Sequence, residues 1–170
     1  MVIEEVKLRP KALLDALVRV WESSVRATHD FLSPADIDML RPLVREALTK
    51  VPRLFIAGEK ERASAFLGMD KEHVEMLFVE ADFRKKGLGG ALLRLALAQG
   101  ARFVDVNEQN PEAFAFYRHM GFAVTGRDEK DGLGLPFPIL HLCLHVQHTP
   151  MTALPHENDE PVILCELVEK

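Results

Sequence analysis

The chain has 170 residues, 48% of them hydrophobic and 28% charged, which is the composition of a globular domain large enough for one core. A formal net charge of −5 argues against a general nucleic-acid or membrane-surface binder. No signal-peptide pattern and no uncharged run suited to a membrane span is visible, so a cytoplasmic protein is expected.

Strand-like and helix-like patterns alternate along the chain in the order β-α-α-β-β-β-α-β-α-β-β. The strand-like runs lie at 2–8, 54–57, 63–69, 73–80, 103–107, 122–126 and 137–146. The helix-like stretches lie at 10–27, at 34–50, from the glycines at 87–90 to about residue 99, and at 110–120. This order predicts an α/β (α+β) domain with a mixed sheet of about seven strands and flanking helices.

Two of the helix starts carry capping residues. Ser33 precedes Pro34, and Asp36 stands where a capping box places its acid. Asn110 precedes Pro111 in the same way. We therefore expect both helices to begin at these prolines.

Residues 73–90, HVEMLFVEADFRKKGLGG, organise the rest of the chain. An apolar run is followed by the basic side chains at 84–86, by glycines and then by a good helix former. The first amides of a helix have no partner within it and lie at the positive end of the helix dipole. Glycines let the backbone approach a ligand closely. The pattern predicts an anion site, with a pyrophosphate as its ligand; an ordinary tight turn and a solvated basic patch are the alternatives.

Two well-known nucleotide motifs do not fit this stretch. No Lys-Ser or Lys-Thr follows the glycines, and Leu92 stands where a dinucleotide fingerprint needs Gly or Ala. Arg-x-x-Gly-x-Gly at 84–89 resembles the signature of the GNAT superfamily of acyl-coenzyme-A-dependent N-acetyltransferases. The run Asn110-x-x-Ala113-x-x-Phe116-Tyr117-x-x-x-Gly121-Phe122 also resembles that family's pattern, with matching spacing.

The resemblance implies a GNAT domain over 1–147 and an enzyme that moves an acetyl group from acetyl-CoA to a primary amine. Because no cysteine is placed near this site, we expect direct attack in a ternary complex, without a metal. The residues that the resemblance would place against the cofactor are Leu77, Phe78, Val79, Arg84, Lys85, Lys86, Gly87, Leu88, Gly89, Gly90, Asn110 and Tyr117.

The resemblance also assigns chemical roles. An amide on Phe78 or Val79 would polarise the thioester carbonyl, and Tyr117 would protonate the leaving thiolate. Tyr117 could instead be a core aromatic residue. The base that neutralises the amine is left open, and the candidates for base or substrate lining are His73, Glu75, Asp105 and His29.

Other assignments stay open at this level. The chain could be a catalytically silent acyl-CoA-binding module, or an unrelated phosphate-binding enzyme with the same glycine turn. We expect His141, His145 and His148 to be structural or surface residues rather than a zinc site. Residues 148–170 form a C-terminal extension whose run at 162–165 could add an edge strand, on the same or a neighbouring subunit of a homodimer.

Overall fold

The computed structural model describes residues 2–59 and 62–145. The strands are β1 Ile3–Glu5, β2 Arg53–Glu59, β3 Arg62–Asp70, β4 His73–Val79, β5 Phe103–Asn107, β6 Phe122–Asp128 and β7 Ile139–Leu144. The helices are α1 Lys11–Thr28, α2 Pro34–Lys50, α3 Leu88–Ala98 and α4 Pro111–His119, with one 3₁₀ turn at Ala81–Phe83. The predicted element order is confirmed. The predicted edge strand at 162–165 and the domain limit at 147 lie outside the described residues.

The strands form one seven-stranded sheet in the order β1-β2-β3-β4-β5-β7-β6. All neighbouring pairs are antiparallel except β4 and β5, which are parallel. The parallel pair is in register only at His73–Phe103 and Val74–Val104. Beyond these residues the two strands separate, which leaves an opening in the middle of the sheet.

Two apolar cores cover the two faces of the sheet. Side chains of α3 and α4 pack on one face, and side chains of α1 and α2 pack on the other. Seven consecutive positions of β3, residues 63–69, are buried because this strand lies between both cores. A strand covered on both faces shows a continuous apolar run instead of alternation, as the sequence does here. In the part of the chain described, no helix is long and apolar enough to cross a membrane.

The predicted helix boundaries are confirmed at the capped ends. The Asp36 amide donates to Ser33 Oγ at 3.2 Å, and the Ser33 amide donates to Asp36 Oδ2 at 2.8 Å, completing the capping box. At the end of α3, Gly100 has a φ of 102°. The Gly100 and Ala101 amides donate to earlier carbonyls of α3, as in a Schellman motif.

Several predicted boundaries were wrong. The first strand ends at Glu5 and not at Leu8, and β2 and β6 extend beyond their predicted limits. Pro10 is the residue before α1 and not its first helical residue. The last strand begins at Ile139 and not at Phe137, because the Phe137 amide donates to Leu135 within the preceding loop at 2.8 Å. Pro138 has no N–H to offer to a neighbouring strand.

Candidate active site

A cavity of about 890 Å³ lies where β4 and β5 separate. Residues of β4, β5, α4, the end of α1 and the loop before α3 line it. It brings together most of the predicted site residues, namely His29, Glu75, Leu77, Phe78, Val79, Arg84, Lys85, Gly87, Leu88, Gly89, Gly90, Asp105, Asn110 and Tyr117. His73 and Lys86 are not among the lining residues.

The turn before α3 presents backbone amides to this cavity. Lys85 and Gly87 have φ values of 59° and 86°, and the left-handed conformation at Gly87 suits glycine. The Ala91 amide donates to the Gly87 carbonyl at 3.0 Å. The first amides of the helix were all expected to be free for a ligand, and for Ala91 this was wrong. The amides of residues 85–90 have no acceptor among the described residues, so they remain available for an anion.

Two of the three basic side chains contact protein groups. Arg84 Nη2 donates to Glu112 Oε2 at 2.6 Å, and this hydrogen bond holds the pKa of the Glu112 carboxyl below its usual value. Lys86 Nζ lies 4.9 Å from the centre of the Phe83 ring, a cation–π distance. Lys85 lines the cavity. The phosphate contacts expected of these three residues therefore stay a prediction, and Arg84 must share its charge with Glu112.

The edge of β4 facing the opening carries free amides. The Glu80 amide donates to the Ser64 carbonyl of β3 at 2.8 Å. Amide direction alternates along a strand, so the Phe78 amide also faces β3, while the Leu77 and Val79 amides face the opening. Of the two amides expected to polarise a carbonyl, the geometry therefore favours Val79.

Glu75 is the extra residue of a bulge in β4. Met69 pairs with Val74 and Gly68 pairs with Met76, which leaves Glu75 without a partner on β3. A bulge re-aims the side chain that it carries. Glu75 lines the cavity with its side chain 45% exposed.

Tyr117 is held by the packing of α4. It is 6% exposed and meets the rings of Phe116 and Phe122 edge-on, with centroids 5.1 and 5.7 Å away. Burial raises the pKa of its hydroxyl, and no described residue forms a hydrogen bond with that hydroxyl. Asn110 caps α4 by accepting from the Ala113 amide at 3.1 Å, which sets the position of Tyr117 about two turns later. The phenol is therefore a protonated donor, although burial moves its pKa away from that of a thiol.

His29 lies just beyond α1 with one ring nitrogen already occupied. Its Nδ1 is 2.7 Å from Thr28 Oγ1, whose hydroxyl donates to the Ser24 carbonyl at 3.0 Å. The Thr28 oxygen must therefore accept from Nδ1–H, which leaves Nε2 as an unprotonated acceptor. Burial, and next the nearby charge of Arg84, lowers the pKa of His29 to about 4. The imidazole is consequently neutral at pH 7.

This environment predicts the titration of His29. We expect its imidazole to stay neutral down to about pH 4, whereas an unfolded histidine takes up a proton near ~6.5. Because the unfolded chain binds this proton first, folding stability should fall as the pH drops from about 6.5 to 4. NMR titration of the ring would measure the pKa of His29, and the His29→Asn variant would assign the signal. A midpoint near ~6.5 would contradict the buried, neutral ring.

The remaining base candidates lie together on one face of β4 and β5. His73 Nδ1 is 3.3 Å from Glu75 Oε1, without a hydrogen bond, and His73 Nε2 is 3.6 Å from Asp105 Oδ2. His141 Nδ1 is 2.7 Å from Asp105 Oδ1. The contact with Asp105 raises the pKa of His73, and both imidazoles, His73 first, lower the pKa of Asp105.

His141 is the residue of this cluster that the sequence did not predict. Only the pairing of Asp105 with His141 across β5 and β7 brings the two side chains together. Alternation within each strand gives the two faces, but it does not give the register between strands that lie far apart in the chain. Among the described residues, no group of three or more His, Cys, Asp or Glu side chains could hold a metal ion. His148 lies outside that part of the chain.

Comparison with known proteins gives the family. The model of the acetyltransferase (GNAT) domain matches residues 42–138. The peptidyl-lysine N-acetyltransferase YjaB of Salmonella typhimurium is 42% identical over 130 residues, which cover 75% of this chain and 89% of that protein. YjaB of Escherichia coli is 40% identical over 129 residues, covering 75% and 88% of the two chains.

A solved structure agrees with these matches. The solution structure of the apo form of YjaB from Escherichia coli is 38% identical in sequence and superposes with a TM-score of 0.74. The match covers 85% of this chain and 98% of that one. The predicted GNAT fold is thereby confirmed. The chain belongs to the GNAT acetyltransferase family and is an enzyme that transfers an acetyl group to an amine.

Proposed function

We propose that the enzyme transfers the acetyl group of acetyl-CoA to the side-chain amine of a lysine in a peptide or protein, by direct attack in a ternary complex. One observation is the main support for this proposal. A single continuous cavity is lined both by the free amides before α3 and by the free amides on the edge of β4. The name of the two curated relatives, peptidyl-lysine N-acetyltransferase, supports the acceptor.

The donor would lie along the opening between β4 and β5. Its pyrophosphate would accept from the amides of residues 85–90, where the dipole of α3 also favours negative charge. The Leu77 amide would bind the arm of the cofactor. The Val79 amide would donate to the thioester oxygen, which becomes negative as the amine attacks.

The attack requires a neutral amine. A lysine amine with a pKa of ~10.4 is about 3.4 units above pH 7, so its neutralisation costs about 4.6 kcal/mol. Among the candidates we favour Glu75 as base, acting directly or through a water. Imidazoles engage Asp105 and lower its pKa, burial lowers the pKa of His29 to about 4, and His73 does not line the cavity.

The acyl step then follows from these positions. Glu75 first passes the ammonium proton to solvent. The neutral amine nitrogen then forms a bond to the carbonyl carbon, the carbon–sulfur bond breaks, and the second nitrogen proton passes to Glu75. Tyr117 stabilises the leaving thiolate by donating from its hydroxyl, which burial keeps protonated. The thiolate takes up the hydroxyl proton of Tyr117, which regains one from solvent, so the products are the acetylated amine, coenzyme A and one released proton.

An acceptor panel tests this proposal. Purified protein would be incubated with acetyl-CoA and a lysine peptide, the same peptide with methylated lysines, free lysine or a polyamine, while thiol release and peptide mass are measured. Acetylation confined to the unmodified lysine peptide is expected. Cofactor binding without thiol release to any amine would instead support the silent module. Competition by ATP, but not by desulfo-coenzyme A, would support an unrelated phosphate enzyme.

The ion pair of Arg84 and Glu112 predicts the effect of removing one charge. The two side chains are 27% and 54% exposed, so the pair is worth ~0.2–1 kcal/mol. Glu112→Gln should tighten coenzyme A binding about two- to fivefold, because Arg84 is released and a negative charge beside the phosphates is lost. Calorimetry would measure this, with the exposed Asp82→Asn as control. Weaker binding by Glu112→Gln would mean that Glu112 instead holds Arg84 ready for the phosphate.

The location and assembly of the enzyme stay predictions. A cytoplasmic protein was expected from the sequence, and a homodimer was expected if the run at 162–165 pairs between subunits. Size measurement in solution would test the second expectation.

A further inference from the structure

We propose that His141 is a positioning residue that holds the Asp105 carboxylate as the anchor for the acceptor's ammonium group. The inference rests on the proposed function for the acceptor, but the contact itself can be measured without it. His141 lies outside the residues that line the cavity, so it would act only through Asp105.

The contacts form a row of alternating charges across four strands. From β4 to β6 the row consists of Glu75, His73, Asp105, His141 and Asp128. In its second half, His141 Nδ1 is 2.7 Å from Asp105 Oδ1 and His141 Nε2 is 3.1 Å from Asp128 Oδ2. One imidazole thus joins a carboxylate of the cavity to an exposed carboxylate on the outer strand.

The backbone of β6 leaves room for this imidazole. The register between β6 and β7 shifts between Val124 and Gly126, and Gly126 then pairs with His141. A Cβ added to Gly126 would lie 3.3 Å from His141 Cδ2 and 3.7 Å from its Cβ. The bulge and the missing side chain therefore give the ring its place between the two aspartates.

The geometry also selects the protonation state of the ring. An ionised carboxylate only accepts hydrogen bonds, so an imidazole between two carboxylates is best satisfied with a proton on both nitrogens. The contacts with Asp105 first, and with Asp128, raise the pKa of His141. The charged groups facing the ring come from β5 and β6, and His73 on β4 faces it as a further, opposing imidazole.

Asp105 is consequently an ionised, oriented carboxylate and not a proton acceptor. Its side chain is 44% exposed and the residue lines the cavity, so it can face an incoming cation. With both imidazoles protonated, the three carboxylates and two imidazoles of the row sum to a charge of −1. One ammonium group would neutralise this charge, which suits a primary amine that arrives protonated.

Two substitutions test the role of the ring by different routes. His141→Asn is too short to bridge both carboxylates, and Gly126→Ala crowds the ring without removing a polar group. We expect each to raise the KM for a lysine peptide about tenfold, the effect of losing one hydrogen bond to a charged group. The kcat and the Kd for coenzyme A should stay within about threefold. Thr125→Val is the matched control, since within the described part of the chain its hydroxyl donates only to the His141 carbonyl, at 3.3 Å.

Two further readouts separate positioning from mere structural support. In His141→Asn the pKa of Asp105 should rise, so the increase of KM on acidification should begin at a higher pH than in the wild type. In the wild type, nitrogen NMR should show protons on both ring nitrogens of His141 above pH ~6.5. An unchanged KM in both variants, or a singly protonated ring, would overturn the inference. Absence of acetyl transfer by the wild type with the doubly protonated ring present would refute the proposed function and leave the contact standing.

Discussion

Replacing Tyr117 by phenylalanine is expected to lower kcat about 10²-fold, the lower end of what a positioned acid contributes. The change removes one oxygen that has no hydrogen-bond partner among the described residues. It keeps the ring that packs edge-on against Phe116 and Phe122. The melting temperature and the Kd for acetyl-CoA should therefore hardly change. Steady-state kinetics with a lysine peptide, together with calorimetry, would measure the two effects separately.

The pH dependence of kcat sharpens this prediction. An ordinary tyrosine loses its proton near pH ~10, whereas burial raises the pKa of Tyr117. The wild-type kcat should therefore show no descending limb up to about pH 10. Phe122→Leu serves as the packing control, because it loosens the contact with the Tyr117 ring but keeps the hydroxyl. A kcat of Tyr117→Phe equal to that of the wild type would remove the acid role.

Local patterns predicted those parts of the fold that are decided within a few residues. Ser33 and Asp36 satisfy each other across one helical turn, and Asn110 accepts from an amide three residues away. Gly87 has a positive φ value in the turn before α3. Such interactions depend on side-chain type and spacing alone, so they can be predicted from a single sequence. The two motifs allowed the family to be recognised for the same reason.

The parts that could not be predicted depend on strands and helices that meet from distant positions. Arg84 looked like a free phosphate ligand, but Glu112 in the first turn of α4 reaches it. The choice between the Phe78 and Val79 amides needed the pairing of β4 with β3. The partners of His141 depend on register across β5, β7 and β6. The alternation of side chains along one strand does not determine these registers.

Replacing Glu75 by glutamine is expected to lower kcat/KM for a lysine peptide about 10²–10³-fold at pH 7. The bulge in β4 places this side chain in the cavity without a cross-strand partner. Glutamine has nearly the same shape but cannot take up the proton of the ammonium group. Initial rates at fixed, saturating acetyl-CoA, measured from about pH 6 to 10, would give the size of the loss at each pH.

The pH dependence decides which role Glu75 has. The neutral fraction of a lysine amine rises about tenfold per pH unit below ~10.4, so a base becomes unnecessary as the pH approaches that value. The deficit of Glu75→Gln should therefore shrink towards pH 10 if Glu75 accepts the proton. Glu72→Gln, an exposed acid in the turn before β4, controls for the loss of negative charge nearby. A deficit of equal size at every pH would mean that Glu75 orients the acceptor, and the amine would then reach the thioester already neutral.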